Sequence, residues 1–222
     1  MVHKTIKMVW GWLLWVVCPP FCVHCKILLN ENLIVCTSCR NKIKPIVSTH
    51  LVITAKTSVT VFAISGYYDP LKSLILAKIQ SNRLASRQLG ELIWQMTPLS
   101  NLEFDYIVPI PLHWTRYAYR GYNQAEEIAR VLAQKSGKPV VPLLKRNRKT
   151  VFQSSLPFEK RGDNVARAFS LNSKIIRADY EGKRCVLVDD LMTTGSTLKG
   201  AARLIMRLNP ASIDAVVACR TS

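Results

Sequence analysis

Residues 186–197 read VLVDDLMTTGST, and this stretch decides the fold. Val186, Leu187 and Val188 make an apolar run suited to one buried strand. Asp189 and Asp190 follow at its carboxyl edge, and Thr193, Thr194, Gly195, Ser196 and Thr197 then open a helix. Open α/β sheets bind ligands just beyond the carboxyl ends of their strands. A helix N-terminus presents unpaired N–H groups and a positive dipole end, which suit phosphate. The four hydroxyls add donors, and Gly195 lets the backbone approach an anion with no Cβ in the way. The paired carboxylates suit another target, vicinal ribose hydroxyls, met directly or through Mg2+. A plain strand-to-helix turn needs one capping hydroxyl, not four with two acids ahead of them. The stretch therefore reads as a cradle for ribose 5-phosphate.

Outward from it, strand and helix alternate. Residues 59–64, 106–110, 140–144, 185–188 and 213–219 carry strand signals. A helix beginning near Leu71 carries Leu71, Leu74, Ile75 and Lys78 at spacings of three and four. A second, over 85–96, carries Leu89, Leu92 and Ile93 in the same way. Asn123 caps a third, whose core face holds Ala125, Ile128, Ala129 and Leu132 and which Gly137 closes. Residues 198–208 form a fourth, and the polar stretch 145–167 reads as a long loop. This alternation predicts an α/β fold with a doubly wound, mostly parallel sheet. The 222 residues divide into an N-terminal module over 1–50 and the α/β domain over 51–222.

The net charge is +17, and residues 112–222 hold 20 of the 31 basic side chains. Such an excess favours polyanions: nucleic acid, an anionic membrane surface or a phosphate-rich ligand. It equally serves a solvated surface. The uncharged run at residues 8–17, MVWGWLLWVV, is too short to span a bilayer and lacks a signal-peptide cleavage site. It reads as a helix packed on the protein, with contact to a membrane surface as the lesser alternative. Five of the seven cysteines crowd into residues 18–39, unlike a secreted disulfide framework, so a reducing cytoplasm is expected.

Cys22 and Cys25, then Cys36 and Cys39, form two knuckles ten residues apart. Together they suit one tetrahedral four-sulfur zinc site with no open position, hence structural. Two disulfides are the alternative; Cys18 and His24 are substitute ligands, though Cys18 beside two prolines reads more as a packed free thiol.

The strand, acid pair and TTGST run resemble the signature of type I phosphoribosyltransferases. That resemblance implies binding of phosphoribosyl pyrophosphate with Mg2+. It also implies a tight pyrophosphate loop after the first core strand, matched here by Pro109, Ile110 and Pro111. Further runs narrow the branch: RGYNQA at 120–125, QSSL at 153–156, KRGDNV at 160–165, Tyr68-Asp69-Pro70 and the cysteine pairs. Together these resemble the ComF, or GntX-like, family from about residue 12 to residue 219. The family implies a type I fold behind a zinc ribbon and a role in natural transformation, the uptake and processing of single-stranded DNA. Its reaction is poorly defined.

Arg116, Arg120, Lys145, Arg146, Arg148, Lys149, Lys160 and Arg161 suit a pyrophosphate or a nucleic-acid backbone. With Asn123, Gln124 and Gln153 they make up a substrate loop. The interleaved Trp114, Tyr117, Tyr119, Tyr122, Phe152 and Phe158 either stack on bases or pack beneath the loops. Three functions follow. The first is a phosphoribosyltransferase with Asp189 and Asp190 catalytic and the acceptor open. The second is a non-catalytic single-stranded-DNA-binding competence factor that keeps phosphoribosyl pyrophosphate as a ligand, alongside DNA-uptake or recombination proteins. The third is a phosphoribosyl-pyrophosphate-sensing regulator, for which no helix-turn-helix stands out.

Overall fold

A computed structural model describes residues 20–29, 33–79, 83–147 and 168–221. The apolar run at 8–17, Cys18, and the segment with Arg148, Lys149, Phe152, Gln153, Phe158, Lys160 and Arg161 lie outside the described residues.

Eight strands are present among them: β1 (Thr49–Thr54), β2 (Thr57–Gly66), β3 (Tyr106–Pro109), β4 (Leu144–Arg146), β5 (Phe169–Leu171), β6 (Arg184–Val188), β7 (Leu191–Met192) and β8 (Ser212–Arg220). The helices are α1 (Thr37–Arg40), α2 (Leu71–Ile79), α3 (Arg83–Met96), α4 (Trp114–Arg120), α5 (Gln124–Ser136) and α6 (Ser196–Ile205). The main sheet runs β1-β2-β8-β6-β3, with β7 also beside β8. Only β1 is antiparallel within it. The mostly parallel sheet expected from the alternation is therefore present.

Its strands are apolar on both sides because both faces are covered. On one face Val61, Val108, Leu187 and Ala215 pack with Leu198, Ala201 and Ile205 of α6. On the other Ile64, Ile107, Val186 and Val216 pack with Leu74, Leu89, Ile93 and Ile128 of α2, α3 and α5. The cysteine module joins this second cluster through Leu29, Ile34, Val35 and Ile43. The Ile34 N–H donates to Gln88 Oε1 on α3 at 2.9 Å.

Several elements differ from the sequence reading, α1, α4 and β7 among them. Strand β1 was not foreseen; it pairs with β2 across Ala55 and Lys56, a connection without glycine or asparagine to mark it. The strand expected over 140–144 is reduced to one bridge, Val140 to Ile107, and its pairing moves to β4 with β5 in a separate two-stranded sheet. Pro139 and Pro142 explain this, since neither has an N–H to continue a ladder. No helix among the described residues is long and apolar enough to cross a membrane.

Candidate functional site

The parallel strands β2, β8, β6 and β3 end at one edge, at Gly66, Arg220, Val188 and Pro109. Central strand β6 delivers Asp189 and Asp190 there. Val188 faces Val216 and Leu191 faces Cys219, so the chain keeps step with β8 while the two acids leave the ladder. Their backbone stays anchored. The Asp189 N–H donates to Val216 O at 3.1 Å, and Asp190 O accepts from Ala218 at 3.2 Å and Cys219 at 3.3 Å. One Asp189 carboxylate oxygen accepts the Asp190 N–H at 2.9 Å. Both side chains remain part-exposed.

Beyond them Thr193 and Thr194 are exposed, and Ser196 starts α6. Asp189, Thr193, Gly195, Ser196 and Thr197 line a small concavity of about 40 Å³. Gly195 has φ +71°, the left-handed region, and a Cβ there would meet Leu51 Cδ1 at 2.6 Å. The structure adds a further role to the one read in the sequence: the missing Cβ makes room for Leu51 of β1. Gly195→Ala is expected to lower stability by roughly 2–4 kcal/mol, from left-handed strain plus overpacking against Leu51. Denaturant unfolding checks this.

Pro109, Ile110 and Pro111 lie at the end of β3 beside Val188, and they offer the cradle no backbone donor. Both prolines lack an N–H, and the Ile110 N–H is spent on Val188 O at 2.9 Å. The missing Pro109 N–H falls on the side of β3 away from β6, where no ladder needs it. These residues shape the loop. Asn123 fixes it, donating from Nδ2 to Ile110 O at 3.0 Å and accepting the Ala125 N–H at 3.1 Å as the cap of α5. Asn123 and Gln124 are both buried. As the cap of α5 Asn123 positions this loop, and Gln124 beside it keeps its Nε2 buried with no hydrogen-bond partner among the described residues.

Arg116 on α4 and Arg146 on β4 come into one electrostatic neighbourhood with Asp189. Burial holds the Arg146 guanidinium below its ordinary range, the Arg116 charge adds to this, and Asp189 opposes it. Arg120 is lowered by burial and then by Arg116. Such crowded cations favour an anion between them. Arg220, which faces both Gly66 and Met192 at the same edge, was missed in the sequence. A basic residue closing a strand at the ligand edge was the available signal.

Cys22, Cys25, Cys36 and Cys39 converge with their Sγ atoms all within 4.8 Å, and Cys25 lies 3.6 Å from Cys36. A tetrahedral zinc with bonds of about 2.3 Å places sulfurs roughly 3.8 Å apart, so this group could hold such an ion. The Cys22 and Cys39 thiols differ in acidity. Burial raises Cys22, but N–H groups of Cys36, Cys25 and His24 outweigh it and bring the thiol down to about 6. Burial and the neighbouring cysteines push Cys39 up to about 12. His24 is not in the cluster; its Nδ1 lies 3.6 Å from Asp69, so its imidazole is engaged elsewhere. All six described cysteines are free thiols.

Residues 77–222 match the family model described as phosphoribosyl transferase domain. The chain is 30% identical over 204 residues to Competence protein F of Haemophilus influenzae, covering 88% of this chain and 82% of that protein. It is 30% identical over 167 residues to DNA utilization protein YhgH of Salmonella typhimurium, covering 72% and 71%. Competence protein ComFC of Bacillus subtilis is 36% identical over 106 residues, covering 48% of this chain and 40% of that one.

Proposed function

The chain belongs to the ComF-like family of type I phosphoribosyltransferase-domain proteins, and on that premise we propose that it binds phosphoribosyl pyrophosphate with Mg2+ at the β6–α6 turn and serves natural transformation. The observation that carries this reading is the turn itself. Two part-exposed carboxylates leave the central strand where the N-terminus of α6 brings a group of hydroxyl side chains. In this proposal Thr193, Thr194, Ser196 and Thr197 take the 5-phosphate, and Asp189 and Asp190 take the ribose hydroxyls or the Mg2+ beside them. Arg146 takes the pyrophosphate, since residues 109–111 have no N–H to give it. Transfer to an acceptor would then rest on positioning and on charge stabilisation of a cationic ribosyl centre. We assign the four-cysteine group to structural zinc.

The competence role comes from relatives whose names speak of competence and DNA utilization. A second reading, in which the ligand is retained and single-stranded DNA is the working partner, is favoured by the net charge of +17. Calorimetric titration of phosphoribosyl pyrophosphate, with and without Mg2+, tests the first reading. Saturable heat that requires Mg2+ is expected; no heat from the folded protein would sink it. Release of pyrophosphate across an acceptor panel separates an enzyme from a binder.

A further inference from the structure

Helix α4 has seven residues and buries none of them. Trp114 is 70% exposed, Tyr117 49% and Tyr119 84%. Three large rings left in water on two turns of helix forfeit the burial that rings usually gain, and such a patch marks a contact surface. Tyr122, two residues past the helix, is the counter-example: it is 3% exposed and lies beneath the Arg83 guanidinium at 5.4 Å. The sequence grouped it with the other rings, and the structure separates them.

The helix is held at both ends, and of its rings Trp114 touches buried His113, with ring centroids 5.8 Å apart, while still 70% exposed. Buried His113 caps its start, with Nδ1 accepting the Thr115 N–H at 3.3 Å. At its finish Gly121 O accepts from Arg83 at 2.8 Å. It follows β3 by four residues, so it sits at the ligand edge of the sheet.

We infer that α4 is a stacking platform for the bases of single-stranded nucleic acid, with Arg116 and Arg120 gripping the phosphates between them. The inference rests on the single-strand part of the proposal above, not on the phosphoribosyl part. Two arginines four residues apart share a helix face, and their mutual repulsion, with burial, already lowers Arg120. A phosphate relieves that crowding. A chain of charge +17 repels cationic partners, and a polyanion that also carries flat apolar faces is a single strand. A duplex hides its bases in the stack. A membrane fits less well, because this seven-residue helix has one tryptophan and no leucine or phenylalanine to bury among acyl chains.

The test compares the wild type with Trp114→Ala/Tyr119→Ala by fluorescence anisotropy. The probes are an oligothymidylate of about twenty nucleotides, a duplex of equal length, and vesicles of anionic lipid. The variant is expected to lose roughly tenfold for each ring on the oligothymidylate and nothing on the duplex, with calorimetric binding of phosphoribosyl pyrophosphate unchanged. Unaltered affinity for the oligothymidylate in the folded variant would overturn the platform. An equal loss on duplex, or a loss confined to vesicles, would overturn it too. A wild type that does not bind the oligothymidylate at all would remove the single-strand reading with it, leaving the phosphoribosyl reading standing on its own titration.

Discussion

Changing Asp189 and Asp190 together to asparagine is expected to abolish the Mg2+-dependent heat of phosphoribosyl pyrophosphate binding, a weakening of about a hundredfold or more, with the fold intact. The fold should hold because the anchors are backbone groups. The bonds from Asp189 N to Val216 O, and to Asp190 O from Ala218 and Cys219, do not involve the carboxylates. The bond from the Asp190 N–H to Asp189 Oδ1 survives on an amide oxygen. What the change removes is charge. Mg2+ takes hard anionic oxygens, and a neutral amide is a poor substitute. Removing Asp189 also leaves Arg116 and Arg146 to repel one another without it. Thermal melts by circular dichroism establish that the variant is folded. Binding that persisted at wild-type strength would mean that α6 and its hydroxyls hold the ligand by phosphate alone, and the acid pair would lose its role.

The sequence made the centre of this protein readable and its margins less so. The β6–α6 turn was legible because a fully buried strand must be apolar, acids cannot enter it, and a helix start draws Ser and Thr. Helix α5 was legible from Asn123 and Gly137, and the structure shows both at its ends, Asn123 as cap and Gly137 at φ +72°. Strand β1 was hidden because only Leu51 and Ile53 of its six residues are buried, too short an alternation to stand out. The two-stranded β4–β5 sheet was hidden because its partners are 23 residues apart at their nearest pair, Arg146 and Phe169. Pairing over that separation leaves no local mark. At the site, residue types were readable but directions were not. Nothing local says that Gly195 faces Leu51, that Asn123 turns inward, or that Arg146 feels both Arg116 and Asp189 from separate elements. Those facts depend on which strand lies beside which.

The other large effect concerns metal. Purified chain is expected to carry one zinc ion, and its removal by a strong chelator to lower Tm by about 10 °C or more. Structural zinc contributes roughly 10–16 kcal/mol in isolated finger peptides, and even ~4 kcal/mol corresponds to a shift of that size in a chain of this length. The module has no core of its own to fall back on. Its Leu29, Ile34, Val35 and Ile43 pack into the cluster with Leu89 and Ile93 of α3, so loosening it strips one face of the sheet. Buried Cys22 and Cys39 should then become reactive toward a thiol reagent, while Cys25, already exposed, changes less. The cradle lies against α6 on the opposite face, so phosphoribosyl pyrophosphate binding should outlast the module at low temperature and fail at a lower temperature than in the zinc-loaded chain. A chain that holds no zinc yet resists the thiol reagent would point to disulfides instead. Simultaneous loss of binding and zinc at low temperature would mean that the two faces of the sheet are one cooperative unit.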